Sequence, residues 1–138
     1  MADTLELELV SPESLLLSQP VEMVVIPGAE GDFGVLPGHA PLISNIRPGA
    51  LVVFEGGAAA ERFFLAGGFA EVTPERCTIL AEGAIRLDDI DRAALEQEIR
   101  DLREDIAQQA EDSQAAASLA IAEAKLQAID APSYSGAH

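Results

Sequence analysis

Residues 4–9 alternate without a fault, with Leu5, Leu7 and Leu9 on one side of an extended chain and Glu6 and Glu8 on the other. That period of two marks a strand with one buried face. Ser11-Pro12 closes it, and short apolar or alternating runs follow at 15–17, 21–26, 33–36, 50–54, 63–65, 69–72 and 78–81. Gln19-Pro20, Pro48-Gly49, Gly56-Gly57, Gly67-Gly68 and Pro74-Glu75 cut between most of them. Runs this short, spaced about 8 to 12 residues apart with turn signals between them, predict an antiparallel sandwich or barrel and not helices.

The period changes after Gly83. Residues 88–130 contain no Gly and no Pro and are rich in Ala, Glu, Leu, Ile and Gln, the better helix formers. Leu95, Ile99, Leu102 and Ile106 form one apolar stripe, and Leu119, Ala122, Leu126 and Ile129 a second. Glu96 and Arg100 are spaced for an i, i+4 pair on the exposed face, and Asp88, Asp89 and Asp91 crowd the helix start, where carboxylates cap free amides. The polar Glu111-Asp112-Ser113 separates the stripes but holds no strong breaker, so a hairpin and a nearly continuous helix are both sterically open. A second helix lined with seven alanines buries less stabilising area than a leucine face, and weak docking is expected of it. The expected fold class is a β-sandwich of short antiparallel strands followed by a C-terminal α-helical hairpin, with the sandwich over residues 1–86, the hairpin over 87–130 and a flexible tail over 131–138.

One segment breaks both periods. In residues 26–42, IPGAEGDFGVLPGHAPL, seven of seventeen positions are Gly or Pro, a density expected of a folded loop. Phe33, Val35 and Leu36 in its middle need burial. The prediction is two shaped turns around a short apolar strand, with Glu30, Asp32 and His39 on the rim, presented to a partner.

Charge narrows the partners. Eight basic residues against 24 acidic ones leave a net charge of −16, which repels nucleic-acid phosphates and anionic lipid head groups alike. Neither nucleic acid nor direct lipid binding is expected. The N-terminal MADTLELELV has no basic or apolar leader pattern, the apolar run 50–54 is far too short for a span of about 20 residues, and the single Cys77 forms no internal disulfide. These features read as cytosolic and soluble. One cysteine and two histidines are too few for a zinc site, the glycine-rich segment lacks the Lys-Ser/Thr of a phosphate loop, and His39 has no nucleophile at a suitable spacing. An acidic helical-hairpin adaptor or chaperone is the alternative to a subunit of a larger machine.

The segment IPGAEGDFGVLPGHAPL, Arg47-Pro48-Gly49 just downstream, Leu65-Ala66-Gly67-Gly68-Phe69-Ala70-Glu71-Val72 and Ala84-Ile85-Arg86 together closely resemble the epsilon subunit of bacterial F-type ATP synthase. The resemblance covers nearly the whole sequence. It implies a noncatalytic rotor subunit of the proton-translocating synthase, peripheral to the cytoplasmic face of the plasma membrane. Its sandwich would lie between the gamma subunit and the c-ring, with Glu30, Gly31 and Asp32 at the c-ring and His39 facing gamma. The C-terminal helices of such subunits fold down on the sandwich or extend towards the catalytic alpha and beta subunits, where they restrain ATP hydrolysis. Some members bind ATP at a motif of Ile or Leu, Asp, two residues and Arg-Ala. Here Asp89, Arg92 and Ala93 fill it only with Asp88 in the apolar slot, while the register beginning Ile90-Asp91 puts Ala94 in the arginine slot. Both are defective, so no nucleotide cofactor is expected. From Arg86 onward five basic and twelve acidic residues leave −7, and like charges at a contact with an acidic partner cost free energy; weak inhibition is the expectation.

Overall fold

The structure, a computed structural model, describes residues 3–109, 111 and 113–131. Ten strands come first: β1 (Leu5–Val10), β2 (Leu15–Val21), β3 (Met23–Gly28), β4 (Gly31–Val35), β5 (Leu42–Ile46), β6 (Gly49–Glu55), β7 (Ala58–Leu65), β8 (Gly68–Val72), β9 (Arg76–Ala81) and β10 (Ala84–Arg86). A 3-10 turn over Leu87–Asp89 leads to α1 (Arg92–Gln108) and α2 (Ser113–Asp130).

Hydrogen bonding runs in the order β10-β7-β6-β3-β5-β8-β9-β1-β2, with β4 paired to β3 beside this path. Between β3 and β5 the ladder is a single pair, Gly28 opposite Ile46, and there the sheet folds over on itself. The inward residues of both halves meet in one core: Leu5, Leu7 and Leu9 of β1, Val24 and Ile26 of β3, Leu51 and Val53 of β6, and Cys77 and Ile79 of β9. Gln19 Nε2 of β2 donates to Glu61 Oε1 of β7 at 3.0 Å, tying one end of the path to the strand next to the other end. The expected sandwich stands, with one departure: β1 pairs parallel with β9, on the edge that its hairpin partner β2 leaves open.

The segment 26–42 is less of a loop than its composition predicts. Residues 26–28 finish β3 and 31–35 form β4, a two-residue hairpin. Pro27 survives in a strand because it lies beyond the β3–β6 ladder, which ends at Val25, so its missing N–H breaks no bond there. Val35 is fully buried as expected, but Leu36 is 54% exposed. Two strands escape the sequence pattern. Residues 42–46 bury only Ile46, and β10 is three residues long.

Asp91 caps α1, its carboxylate accepting from the Ala94 N–H at 3.2 Å. The two helices form a hairpin, with Leu95 and Ile99 of α1 packed against Ala122, Leu119 and Leu126 of α2. Glu96 does not pair with Arg100: Arg92 reaches it from the preceding turn at 3.5 Å, and Arg100 donates to Gln97 Oε1 at 2.9 Å instead. The hairpin folds down on the outer face of β6 and β7, where Phe64 meets Leu87, Ala128, Ala124 and Ile121. The ammonium of Lys125 sits 5.9 Å from the centre of the Phe64 ring, within cation–π range.

Cys77 is fully buried in the core, and burial pushes its thiol from 9.0 up to about 12. The native thiol therefore stays protonated where the unfolded one ionises, and raising the pH from 9 towards 12 favours the unfolded state. A thiol reagent at pH 8 is expected to label the native protein at least ~10³-fold more slowly than the urea-unfolded protein, the rate tracking global opening. Fast labelling without denaturant would place the residue outside the core.

Candidate functional site

The β3–β4 hairpin carries the first three predicted contact residues. Gly28 stands opposite Gly31, the turn passes through Ala29 and Glu30, and Glu30, Gly31 and Asp32 are all exposed. Gly28 is required by crowding, since a Cβ there would lie 2.8 Å from the Gly31 carbonyl oxygen and 2.9 Å from the Phe33 ring. Arg47, immediately after β5, touches this hairpin three times. Its main-chain N–H donates to the Pro27 carbonyl (3.0 Å), Nη1 to the Gly28 carbonyl (2.6 Å) and Nη2 to Asp32 Oδ1 (2.6 Å).

His39 lies elsewhere. Its N–H donates to the Leu36 carbonyl at 3.1 Å and Gly38 has φ +85°, which makes Leu36-Pro37-Gly38-His39 a type II turn with proline and glycine at the positions that need them. The Gly38 N–H donates to the Pro74 carbonyl at 2.8 Å, fastening the turn to the β8–β9 connection. His39 Nδ1 is 2.7 Å from the Ala40 carbonyl oxygen, an acceptor, so Nδ1 is the donating nitrogen. The five residues of β4 separate this turn from the hairpin tip, roughly 15 Å at strand rise. The structure brings Glu30, Gly31 and Asp32 together and sets His39 at the opposite end of the sandwich.

A third surface went unread in the sequence. On the outer face of β5, β8, β9, β1 and β2, cross-strand register aligns Asn45, Phe69, Leu80, Val10 and Leu15 in one row. Phe69 is 43% exposed, Leu80 38% and Leu15 57%, and Ile43 of the neighbouring row is 70% exposed. The row begins beside Gly68, whose partner Ile46 in turn pairs with Gly28 at the hairpin base. Apolar side chains follow one another over four strands, Phe69, Leu80 and Leu15 exposed and Val10 half-buried, a run of the kind found on docking surfaces. The signal was present: in Cys77-Thr78-Ile79-Leu80-Ala81 the outward slot at Leu80 is apolar where alternation calls for a polar residue.

The nucleotide-motif residues lie at the entry to α1. Asp89, Arg92 and Ala93 are all exposed at the start of the hairpin. Arg92 makes a two-armed pair with Asp130 at the far end of α2, Nη1 to Oδ1 and Nη2 to Oδ2. That hydrogen bond raises the arginine's pKa and holds the Asp130 carboxyl below the usual carboxylate range. Among the described residues no group of three or more His, Cys, Asp or Glu could hold a metal ion, and no helix is long and apolar enough to cross a membrane.

Comparison with known proteins covers nearly the whole chain. Residues 4–87 match the beta-sandwich domain of the ATP synthase Delta/Epsilon chain, and residues 91–138 match the C-terminal domain of the ATP synthase epsilon chain. The ATP synthase epsilon chain of Rhodospirillum centenum is 62% identical over 111 residues, 77% of this chain and 76% of that one. The epsilon chain of Rhodospirillum rubrum is 50% identical over 131 residues, 93% and 98%. Among solved structures, a chain of the Euglena gracilis mitochondrial ATP synthase (OSCP/F1/c-ring, rotational state 1) superposes with TM-score 0.81 at 28% identity, over 94% of this chain and 83% of that chain. One from the Tetrahymena thermophila mitochondrial ATP synthase central stalk and c-ring, at 12% identity and TM-score 0.58 over 91% of this chain and 96% of that chain, shares the fold. With a sandwich and a helical hairpin that match the family's two domains in order, and with relatives at 50–62% identity, the protein belongs to the ATP synthase epsilon chains.

Proposed function

We propose that this rotor-stalk subunit performs no chemistry of its own and couples rotation by docking two partners, gamma and the c-ring, on one sandwich. The outer row of Val10, Leu15, Phe69 and Leu80, with Ile43, seats the gamma subunit. The hairpin tip of Glu30, Gly31 and Asp32 meets the c-ring, and His39, on a stiff turn at the other end, faces gamma. The observation that carries this reading is the contiguous apolar row: it covers the face opposite the helical hairpin and starts beside the tip, so one neighbour can be gripped while the tip reaches a second. In this reading the subunit sits on the cytoplasmic side of the membrane as a peripheral part of the synthase. No nucleotide takes part, since Arg92 is engaged by Asp130 and Glu96 and Ala93 points no polar group anywhere.

Affinity-tagged full-length protein should co-purify with gamma, alpha and beta in fixed proportion from detergent-solubilised membranes. A varied set of client proteins, or turnover of a substrate by the isolated subunit, would sink the reading. The helical hairpin is a weak brake on hydrolysis, because its excess of carboxylates disfavours an acidic catalytic partner. Removal of residues 88–138 is expected to raise the ATPase rate of the assembled complex by about twofold at most. Many-fold activation would overturn that.

A further inference from the structure

The β3–β4 turn is a poor hairpin turn by itself. Two-residue hairpins favour turns with positive φ at the first loop residue or at both, because only those match the twist of the strands. Here Ala29 and Glu30 both have negative φ, and only Gly31, at +138°, departs from the ordinary regions. An unmatched turn splays its strands, yet the ladder is intact from Val24 opposite Val35 to Gly28 opposite Gly31. Something outside the hairpin closes it.

Arg47 is placed to do so. Its guanidinium spans the two strands, with one arm on the Gly28 carbonyl of β3 and the other on the Asp32 carboxylate of β4, both at 2.6 Å. Its main-chain N–H on Pro27 and the Ala29 N–H on the Asn45 carbonyl (2.9 Å) bind the same base to the end of β5. A planar fork with several donors can hold two acceptors in a fixed relation, which an ammonium cannot. The pair also sets the charge of the tip. Asp32 is compensated by Arg47, while Glu30 has no ion-pair partner among the described residues.

We infer that Arg47 is the positioning residue of the Glu30–Gly31–Asp32 tip: it closes a turn that would otherwise splay, fixes the direction in which the tip projects, and leaves Glu30 as the tip's single uncompensated charge. The inference rests on the reading of that tip as the c-ring contact.

The test uses two readouts on the full-length protein. Amide hydrogen exchange at Ala29 and Gly31 reports the tip itself, and ATP-driven proton pumping relative to hydrolysis, in vesicles carrying the assembled synthase, reports coupling. Arg47→Ala is expected to speed exchange at both amides about tenfold. It should lower the pumping-to-hydrolysis ratio at least about threefold, since a contact held by a loosened support loses its geometry. Arg47→Lys keeps the charge and should restore the thermal midpoint, but not the exchange protection, because one ammonium does not reproduce the two-armed grip. Asp32→Ala, which leaves the arm on Gly28 in place, should loosen the tip to an intermediate degree and covers the case in which Arg47→Ala folds poorly. Wild-type exchange in both Arg47→Ala and Asp32→Ala overturns the inference whatever the pumping does. Faster exchange with pumping intact, in Arg47→Ala and also in Glu30→Gln with Asp32→Asn, upholds the positioning role and removes the c-ring contact from this tip.

Discussion

A Gly68→Ala variant is expected to lose about 3 kcal/mol of stability or more, the largest effect of any single methyl addition to the sandwich. Gly68 opens β8 with φ +131°, a region closed to residues with a side chain. A Cβ built there would lie 2.0 Å from the Leu80 carbonyl oxygen and 3.0 Å from the Ala81 Cα. Both obstacles are backbone of the adjacent strand, so relief requires opening the β8–β9 ladder. A thermal midpoint lower by on the order of 10 °C is the expected reading by calorimetry. Gly67→Ala should cost less: its φ of +139° is equally strained, but the nearest atom, 2.8 Å away, is the free end of the Glu82 side chain. Gly83→Ala meets nothing closer than the Ala66 Cβ at 3.6 Å and has no positive φ, and should be near neutral. Similar midpoints for all three variants would refute this ranking.

The second large effect is on assembly. Leu80→Glu is expected to weaken incorporation into the synthase about a hundredfold, the loss typical of an interface anchor replaced by a charge. The isolated subunit should lose only about 1 kcal/mol, the cross-strand packing of a side chain outside the core. Phe69→Glu, one strand over in the same row, should behave alike. Glu55→Lys, exposed at the end of β6, is the control and should assemble normally. Native-like assembly by the two row variants would move the docking face elsewhere.

The legible parts of this fold were those whose physics is local. β1 alternates, so its buried face could be read directly, and Leu95 and Ile99 face the partner helix as their spacing requires. Pro37-Gly38 announced a turn and is one. What stayed hidden depends on distant partners. The strand at 42–46 shows no alternation because its apolar Leu42 and Ile43 are both exposed, and an apolar residue in water has no signature in its own segment. The docking row is assembled from strands whose members lie up to 70 positions apart, and only register aligns them. Arg47 read as part of an Arg-Pro-Gly motif, yet its acceptors are 15 and 19 residues upstream. Glu96 took Arg92 in place of Arg100, since both cations lie within one turn of it and spacing alone does not rank them.

The parallel pairing of β1 with β9 has a bearing on how the subunit is made. Glu6 and Arg76 stand opposite each other across the ladder, so β1 has no partner for its second edge until β9, late in the sandwich, has been translated. Closure of so long a loop is slow, and until then the second edge of β1 is unpaired and the face of Leu5, Leu7 and Leu9 uncovered. A nascent polypeptide stalled before β9 would leave that edge bare for others to join.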